Sequence, residues 1–315
     1  MRLIFMGTPE SAVPTLKRCV DDGHEVLAVW TQPDRPAGRG NKLKASPVKE
    51  YALSRGLTVR QPLKIKTDEA LALFNEREFD AAIVVAYGRI LPSTFLRAPR
   101  LGCLNVHFSL LPKYRGAAPV NWAIVRGESV SGVTTMLIDE GLDTGPILLQ
   151  RSTPIEEGET APQLLERLSH TGADLLGETL ARLDEIEPRP QMGEDATLAP
   201  LLRREDGVIE WTHDAFDIER RVRGFQPWPN AYTFYGGRRL IIWRAAALEA
   251  YALDVNQMHQ KQTGEIIEAH GDTLIMACGG ETALRVAELQ LEGKQRMSAR
   301  DFINGMRVRA GERLG

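Results

Sequence analysis

Hydrophobic positions divide the first half of the chain into short apolar runs separated by amphipathic segments. The continuous apolar runs, which are typical of buried strands, are RLIFMG (2–7), EVLAVWTQ (25–32), DAAIVVAYG (80–88), LNVHFS (104–109) and VTTMLID (133–139). Segments typical of helices lie between them, and the clearest helix is expected over 160–186, where leucines form one stripe. Continuous apolar strands that alternate with helices predict a Rossmann-like, mostly parallel sheet covered on both faces.

The pattern changes towards the end of that helix. Residues 188–204 are rich in proline and polar residues and are expected to form a linker. Beyond them, short strands separated by glycine turns predict an OB-like β-barrel of roughly 110 residues. The predicted organisation is therefore an α/β domain over 1–187, a linker over 188–204 and a C-terminal β-barrel domain over 205–315.

Composition excludes several classes of protein. The net charge of the 315 residues is −3, so any contact with nucleic acid must come from local clusters of charge. The three cysteines lie far apart and form no CxxC motif, so we expect neither a disulfide framework nor a metal site. Because the sequence has no 18-residue apolar span and no signal-peptide pattern, we expect a cytoplasmic protein that makes no membrane contact.

Polar residues of catalytic type stand where two of the predicted strands end. Asn105 and His107 are two residues apart, so in a strand their side chains point to the same face. Asp143 lies in the glycine-rich segment GLDTG that follows VTTMLID. Ligands of open parallel sheets bind beyond the carboxyl ends of the strands, where these residues are expected to meet.

The three side chains are suited to chemistry at a carbonyl group. Asn105 can donate to a developing oxyanion, His107 can transfer a proton near neutral pH, and Asp143 can fix the tautomer of a histidine. Because no Ser or Cys nucleophile accompanies them, they favour direct attack by a nucleophile of the substrate. An Asn-x-His pair at a strand end is also a common structural pair, and Asp143 alone could cap a loop.

Seven stretches resemble the folate-dependent formyltransferases and, among them, the enzymes that act on methionyl-tRNA. They are FMGTPESAVPTL (5–16), VWTQPDRPAGRG (29–40), SPVKEYA (46–52), VVAYGRILP (84–92), LNVHFSLLPKYRGAAPVNWAI (104–124), GLDTGPIL (141–148) and RVRGFQPWPNAYT (221–233). The resemblance spans nearly the whole chain. It implies transfer of the formyl group of 10-formyltetrahydrofolate to the amino group of the methionine on initiator tRNA, without a metal.

The resemblance also implies roles for individual residues. The family's catalytic trio falls on Asn105, His107 and Asp143. Asn105 would hold the formyl oxygen of a tetrahedral intermediate, His107 would exchange protons, and Asp143 would orient His107. The residues that match the family's folate-contacting segments are Ser109, Leu110, Leu111, Pro112, Arg89, Ile90 and Leu91.

A basic loop over 35–49 carries five cations and no acid. A run of charge is usually a solvated surface, but the resemblance implies that this loop engages the acceptor end of the tRNA. The residues expected to do so are Arg39, Lys42 and Lys44. The C-terminal domain is expected to contact the tRNA as well, through arginine clusters such as the one at 220–223. We expect the protein to be a monomer.

Three other functions stay open at this point. A different folate-dependent formyltransferase, acting on a nucleotide-sugar amine or on glycinamide ribonucleotide, would share the first half of the chain. A formyltetrahydrofolate hydrolase would use the same trio with water in place of the amine. An RNA-binding protein without activity would have no need of Asn105, His107 and Asp143 together. The basic loop and the C-terminal β-domain favour tRNA as the acceptor.

Overall fold

The computed structural model describes residues 1–37, 42–249 and 262–315. These residues form two compact units. The first comprises Met1–Pro119, Val130–Pro154 and Leu165–Pro200, and the second comprises Val120–Ser129, Ile155–Leu164 and Leu201–Gly315. Among the described residues, no helix combines the length and the apolar character needed to cross a bilayer.

The strands of the first unit include five that follow the predicted apolar runs. The strands are β1 (Arg2–Gly7), β2 (Glu25–Trp30), β3 (Arg35–Ala37), β4 (Lys42–Lys44), β5 (Val59–Arg60), β6 (Ala81–Val85), β7 (Cys103–His107), β8 (Arg115–Gly116), β9 (Val130–Leu137), β10 (Ile147–Pro154) and β11 (Leu198–Ala199). The five that follow the apolar runs are β1, β2, β6, β7 and β9. The first helices of the chain are α1 (Val13–Asp21), α2 (Pro47–Ser54), α3 (Asp68–Phe74), α4 (Ser93–Leu96), α5 (Pro119–Val125) and α6 (Ala161–Ala181).

Seven of these strands form one sheet in the order β10-β9-β7-β6-β1-β2-β5. All neighbours from β7 to β5 pair in parallel, whereas β9 is antiparallel to β7 and β10 is antiparallel to β9. The predicted mostly parallel sheet is confirmed. The antiparallel edge was not predicted, because an apolar run such as VTTMLID does not reveal the direction of its strand.

Burial explains the continuous apolar runs. All five residues of β6 are buried, and Trp30, Phe74 and Phe95 pack together on one face of the sheet. The rings of Phe74 and Phe95 are stacked at 4.3 Å, and Trp30 meets Phe74 edge-on at 5.4 Å. Burying an aromatic side chain of this kind contributes about 1.5–3 kcal/mol. The tight core holds the strand ends in fixed positions.

The second unit contains an antiparallel sheet with helices packed on it. Its elements are α7 (Ala215–Gly224), β12 (Ala231–Tyr235), β13 (Arg238–Leu248), β14 (Ile266–His270), β15 (Thr273–Ala277), β16 (Ala283–Leu291), β17 (Met297–Ser298) and α8 (Ala299–Met306). The strands pair in the order β12-β13-β16-β15-β14, with β17 beside β16. Gly236 and Gly237 join β12 to β13 with φ of +54° and +73°, as a tight hairpin requires. The predicted C-terminal β-domain is confirmed.

The domain boundaries stay a prediction, but the segment predicted to be a linker can be described. Its residues up to Pro200 belong to the first unit, and β11 within it pairs in parallel with β8. Segment 189–199 is therefore docked along the first unit.

Candidate active site

The carboxyl ends of the parallel strands form one rim of the first unit. β2 lies on one side of β1 and β6 lies on the other, so the order of the strands reverses between β1 and β6. Ligands of open α/β sheets bind in the crevice at such a switch point. A cleft of about 500 Å³ lies there, and Thr8, Gln32, Lys44 and Gly88 are among the residues that line it.

His107 is the last residue of β7, and only 6% of it is exposed. Its Nε2 lies 2.9 Å from the main-chain carbonyl oxygen of Tyr114. Because a carbonyl oxygen can only accept, Nε2 carries the hydrogen of this bond. In the neutral ring the lone pair is therefore on Nδ1, which faces the carboxylate of Asp143 at 3.8 Å from Oδ2.

Asp143 is held by the main chain around it. Its Oδ2 accepts a hydrogen bond from the amide of Gly116 at 2.8 Å, and its own backbone has φ of +52°. The distance of 3.8 Å from His107 is an ion-pair distance and too long for a hydrogen bond. The neutral His107 ring is thus oriented by Tyr114, and the role of Asp143 stays a prediction.

Asn105 lies two residues before His107 in the middle of β7 and is half-buried. It stands opposite Val84 of β6 and Met136 of β9 in the sheet register. Within the part of the chain that the structure describes, its side-chain amide makes no hydrogen bond. The Asn105 amide is therefore free to donate to a ligand on the face that it shares with His107.

The segment Ser109–Pro112 follows β7, and its main-chain groups are largely bonded within the protein. Thr134 Oγ1 donates to Ser109 O at 2.7 Å and accepts from Leu111 N at 3.1 Å. Gln150 Nε2 donates to Leu111 O at 2.8 Å. Leu111 itself is buried. These bonds occupy main-chain groups that would otherwise be open to a ligand, and they hold the segment in place.

The other segment expected to contact folate is residues 89–91, and its three side chains have different surroundings. The Arg89 guanidinium donates to Gln32 Oε1 and to Pro62 O, both at 3.2 Å. Ile90 is 73% exposed, whereas Leu91 is buried in the core. Of the three side chains, Ile90 is the one that presents an apolar surface outward.

Two glycines allow the loops of the site to approach one another. A Cβ on Gly116, whose φ is +125°, would lie 2.5 Å from the carbonyl oxygen of Ala199 in β11. A Cβ on Gly145 would meet the carbonyl oxygen of Leu137 at less than 2 Å. Any larger residue at these positions would force the backbones apart.

Sequence reasoning missed four polar residues that hold the site: Thr134, Gln150, Gln191 and Thr197. Gln191 Nε2 donates to Asp143 O at 2.9 Å and to Gly145 O at 2.7 Å. Thr197 Oγ1 accepts from Tyr114 N at 2.9 Å. Thr134 gave no distinctive signal, because threonine is common in strands and Thr135 stands beside it in the same run. Gln191 and Thr197 gave no signal either.

The basic loop is described only in part. Arg39 lies outside the described residues, and for Lys42 the structure gives the backbone in β4 alone. Lys44 is exposed and lines the cleft with Arg35. Lys49, by contrast, donates to Asp34 at 2.6 Å, so its charge is paired with the acid that precedes the loop.

Neither metal nor thiol chemistry is indicated by the described residues. Across these ranges no group of three or more His, Cys, Asp or Glu side chains is arranged to hold a metal ion. Burial raises the pKa of the thiols of Cys19, Cys103 and Cys278 to about 12. Such thiols are poor nucleophiles at neutral pH.

The described chain is an α/β protein with Asn, His and Asp at the rim of a mostly parallel sheet, and comparison with known proteins gives its family. The profile of the Formyl transferase family matches residues 1–180, and the profile of its C-terminal domain matches residues 201–307. The chain belongs to the formyl transferase family.

Within that family, the curated relatives are methionyl-tRNA formyltransferases. The protein from Koribacter versatilis is 50% identical over 318 residues, which cover 100% of this chain and 99% of the relative. The protein from Caldanaerobacter subterraneus subsp. tengcongensis is 47% identical over 314 residues, which cover 99% of both chains. The expected enzyme class, methionyl-tRNA formyltransferase, is confirmed.

Solved structures share the fold at low identity. An N-formyltransferase from Helicobacter canadensis, solved with folinic acid and dTDP-3-aminofucose, has a TM-score of 0.67 at 20% identity and covers 90% of this chain and 98% of its own. HypX from Aquifex aeolicus, solved with tetrahydrofolic acid, has a TM-score of 0.65 at 16% identity. That match covers 97% of this chain but spans about half of HypX, 48%.

Proposed function

We propose that the protein transfers the formyl group of 10-formyltetrahydrofolate to the α-amino group of methionyl-initiator tRNA in the cytoplasm, acting as a monomer. The observation that carries this proposal is the juxtaposition of a free Asn105 amide, the Nδ1 of His107 and the carboxylate of Asp143 at the rim of the sheet. The full-length match to methionyl-tRNA formyltransferases supports the choice of acceptor.

The reaction begins when the neutral amine of the acceptor attacks the formyl carbon of the donor. The carbonyl oxygen becomes an oxyanion, and the side-chain N–H of Asn105 donates to it. Nδ1 of His107 takes the proton that the amine loses, because Nε2 is already engaged with Tyr114. The Asp143 carboxylate, 3.8 Å away, stabilises the resulting imidazolium. His107 then gives the proton to the leaving N10 as the C–N10 bond breaks, which yields formylmethionyl-tRNA and tetrahydrofolate.

The donor would lie against residues 109–112 and 89–91. Thr134 and Gln150 fix the first of these segments, so it offers a preformed wall, and Ile90 adds an exposed apolar surface. Preformed, largely apolar walls with few polar groups are typical of sites for flat heterocycles. Structural relatives that were solved with folinic acid or tetrahydrofolic acid support this donor.

The acceptor end of the tRNA would enter through the cleft at the switch point. Arg35 and Lys44 line that cleft and have no ion-pair partner among the described residues. Phosphate contacts by such cations supply much of the affinity for nucleic acid. Arg39 and Lys42 of the same loop would add to them.

The second unit would contact the body of the tRNA. It contains a cleft of about 760 Å³ that is lined by Trp243, Arg244 and Arg285, among other residues. The arginine cluster expected at 220–223 overlaps this cleft through Arg223, and its charges are paired within α7, Arg220 with Asp217 and Arg223 with Glu219. Arg244 also pairs with Glu288, at 2.9 Å, so Trp243 and Arg285 are the residues of the cleft proposed for the RNA contact.

An assay of product formation tests the proposal. The purified protein would be incubated with 10-formyltetrahydrofolate and methionyl-initiator tRNA, and with uncharged tRNA, a nucleotide-linked amino sugar or no acceptor as controls. Formylmethionine formed only with the charged tRNA is expected. Formate released at the same rate in every tube would identify a hydrolase, and formylation of the sugar would identify a sugar N-formyltransferase.

A variant tests the site itself. His107→Ala should lower kcat by about 10²–10⁴-fold, because the proton acceptor is lost, while donor binding stays near that of the wild type. Donor affinity can be followed by fluorescence quenching with tetrahydrofolate. Unchanged turnover would remove His107 from the mechanism.

A further inference from the structure

Segment 189–199 of the first unit makes specific contacts with both loops that hold the catalytic side chains. Thr197 binds the first loop, residues 112–118: its carbonyl accepts from Arg115 N at 2.9 Å and its hydroxyl accepts from Tyr114 N at 2.9 Å. Arg189 binds the second loop, residues 139–147, through a reciprocal pair of main-chain hydrogen bonds with Ile147, both of 2.8 Å. Segment 189–199 thus fastens the two loops at separate points.

Gln191 connects the two loops directly. Its Nε2 donates to the carbonyl oxygens of Asp143 and Gly145, at 2.9 and 2.7 Å. Its Oε1 accepts from Nε and Nη2 of Arg115, at 3.0 and 2.8 Å. The orientation of the amide is fixed, because Nε2 can only donate and Oε1 can only accept. Nε2 therefore faces the two carbonyls, and Oε1 faces the guanidinium of Arg115. Both N–H donors and both acceptor positions of the Gln191 amide are therefore used.

The contact matters because Asp143 stands in a backbone conformation that rarely persists without support. Its φ is +52°, and Tyr114, whose carbonyl holds His107, has φ of +63°. Non-glycine residues in this region carry strain that the surrounding structure must balance. Gln191 binds the carbonyl of Asp143 itself, and through Arg115 it reaches the residue that follows Tyr114.

We propose that Gln191 is a positioning residue, which holds Asp143 at its distance from His107 by clamping the Asp143–Gly145 turn to Arg115. The inference rests on the proposed function, since that function gives Asp143 its catalytic role. Segment 189–199 is then part of the catalytic unit. Misplacement of a reacting group by about 1 Å can cost on the order of 10²-fold in rate, so loss of the clamp should be visible in kcat.

The first test compares two matched variants. Gln191→Met keeps the length of the side chain but removes its hydrogen bonds. Gln262→Met is the control, because Gln262 Oε1 also accepts from a guanidinium, Nη1 of Arg313 at 3.1 Å, but lies in the second unit and does not line its cleft. We expect Gln191→Met to lower kcat by about 10- to 100-fold with KM for donor and tRNA within threefold. Gln262→Met should leave kcat within twofold.

The second test asks whether Gln191 acts through Asp143. In an Asp143→Asn background, Gln191→Met should lower the remaining kcat by less than twofold, because the carboxylate it positions is already gone. Equal losses in both backgrounds would overturn the proposal, since Gln191 would then act independently. A kcat within twofold of the wild type for Gln191→Met alone would overturn it as well.

A measurement without substrate tests the contacts of Gln191 independently of the reaction. Hydrogen–deuterium exchange in peptides covering 112–118 and 139–147 should be faster in Gln191→Met and unchanged in Gln262→Met. If the wild-type protein formed no formylmethionyl-tRNA, the proposed function would fail, while exchange would still report on the clamp. Unchanged exchange in both peptides would contradict the clamp whatever the activity.

Discussion

His107 Nε2 and the carbonyl oxygen of Tyr114 are 2.9 Å apart, and this bond decides how the site can work. It places the hydrogen of the neutral ring on Nε2 and leaves Nδ1 to accept a proton. Asp143 faces Nδ1 at 3.8 Å, so its charge acts once the ring is protonated. The main chain thus sets the tautomer, and the carboxylate stabilises the charge.

This division of roles predicts the effect of Asp143→Asn. The neutral His107 ring should keep its orientation, because Tyr114 still holds it, but the imidazolium should lose its counter-charge. At about 4 Å in a partly buried site this interaction is worth up to about 4 kcal/mol, so kcat should fall by roughly 10²- to 10³-fold. Single-turnover kinetics would measure the loss.

A control in the same loop separates this effect from a general change in charge. Glu140 is 75% exposed at its side chain and lies 3.8 Å from Arg97. Glu140→Gln removes one negative charge near the site without touching His107, and kcat should stay within twofold. A similar loss in both variants would argue against a specific role for Asp143.

Gly116→Ala should destabilise the first unit. The new Cβ would lie 2.5 Å from Ala199 O, and the φ of +125° disfavours any side chain. We expect a loss of about 1–3 kcal/mol in the free energy of unfolding, seen as a Tm lower by roughly 2–4 °C per kcal/mol. Activity should fall as well, because Gly116 N also holds Asp143.

Gly193→Ala is the matched control for that substitution. Gly193 lies in segment 189–199, and a Cβ there would have no atom within 4 Å. Its Tm and activity should equal those of the wild type. If both alanine variants behaved alike, the close approach of β8 and β11 would not be what makes Gly116 necessary.

Lys44→Gln should weaken the use of tRNA and leave the use of donor unchanged. We expect KM for methionyl-tRNA to rise roughly fivefold and the slope of log KM against log salt to decrease by about 0.7, as for loss of one contact with single-stranded phosphate. Lys17→Gln is the control, because Lys17 pairs with Asp21 within α1. An equal rise in donor KM would place Lys44 outside the acceptor path.

The three thiols should resist alkylation in the folded protein. With a pKa of about 12 for each, only about one thiol in ten thousand is ionised at pH 8. Iodoacetamide at pH 8 should therefore label the protein only after denaturation, which mass spectrometry would show. Rapid labelling of native protein would contradict the burial of these residues.

The same shifts predict how stability depends on alkaline pH. The folded state favours the neutral thiol, so its pKa is raised above the unfolded value near 8.5. This contribution is complete below pH 8.5 and is lost as pH rises towards 12. Replacing Cys103 with Ser should reduce the alkaline decline, measured by denaturant unfolding from pH 8 to 11.

Buried strands were predictable because burial leaves a pattern in residue type. The run at 2–7 coincides with β1, and LNVHFS lies within two residues of β7. The direction of β9 was not predictable, since antiparallel and parallel strands buried on both faces have the same composition. α7 and α8 of the C-terminal unit were not predicted either. Each helix is short and contributes only a few buried residues.

Contacts made by the main chain left no pattern at all. The residue identities at 105, 107 and 143 indicated acid–base chemistry, but the acceptor that orients His107 is a carbonyl oxygen, which every residue has. Segment 188–204 was predicted to be a linker because it is rich in proline and polar residues. Its attachment depends on main-chain hydrogen bonds and on Gln191, which composition cannot reveal.

The pairing of β8 with β11 sets an order of events during synthesis on the ribosome. Tyr114 and its partner Thr197 are separated by 83 residues. At about 5–20 residues per second, the loop that holds His107 emerges roughly 4–17 s before the strand that fixes it. A nascent chain that ends at residue 187 already carries Asn105, His107 and Asp143, yet it lacks Gln191 and Thr197. Maturation of the catalytic centre is therefore timed by translation of a segment that contributes no catalytic side chain.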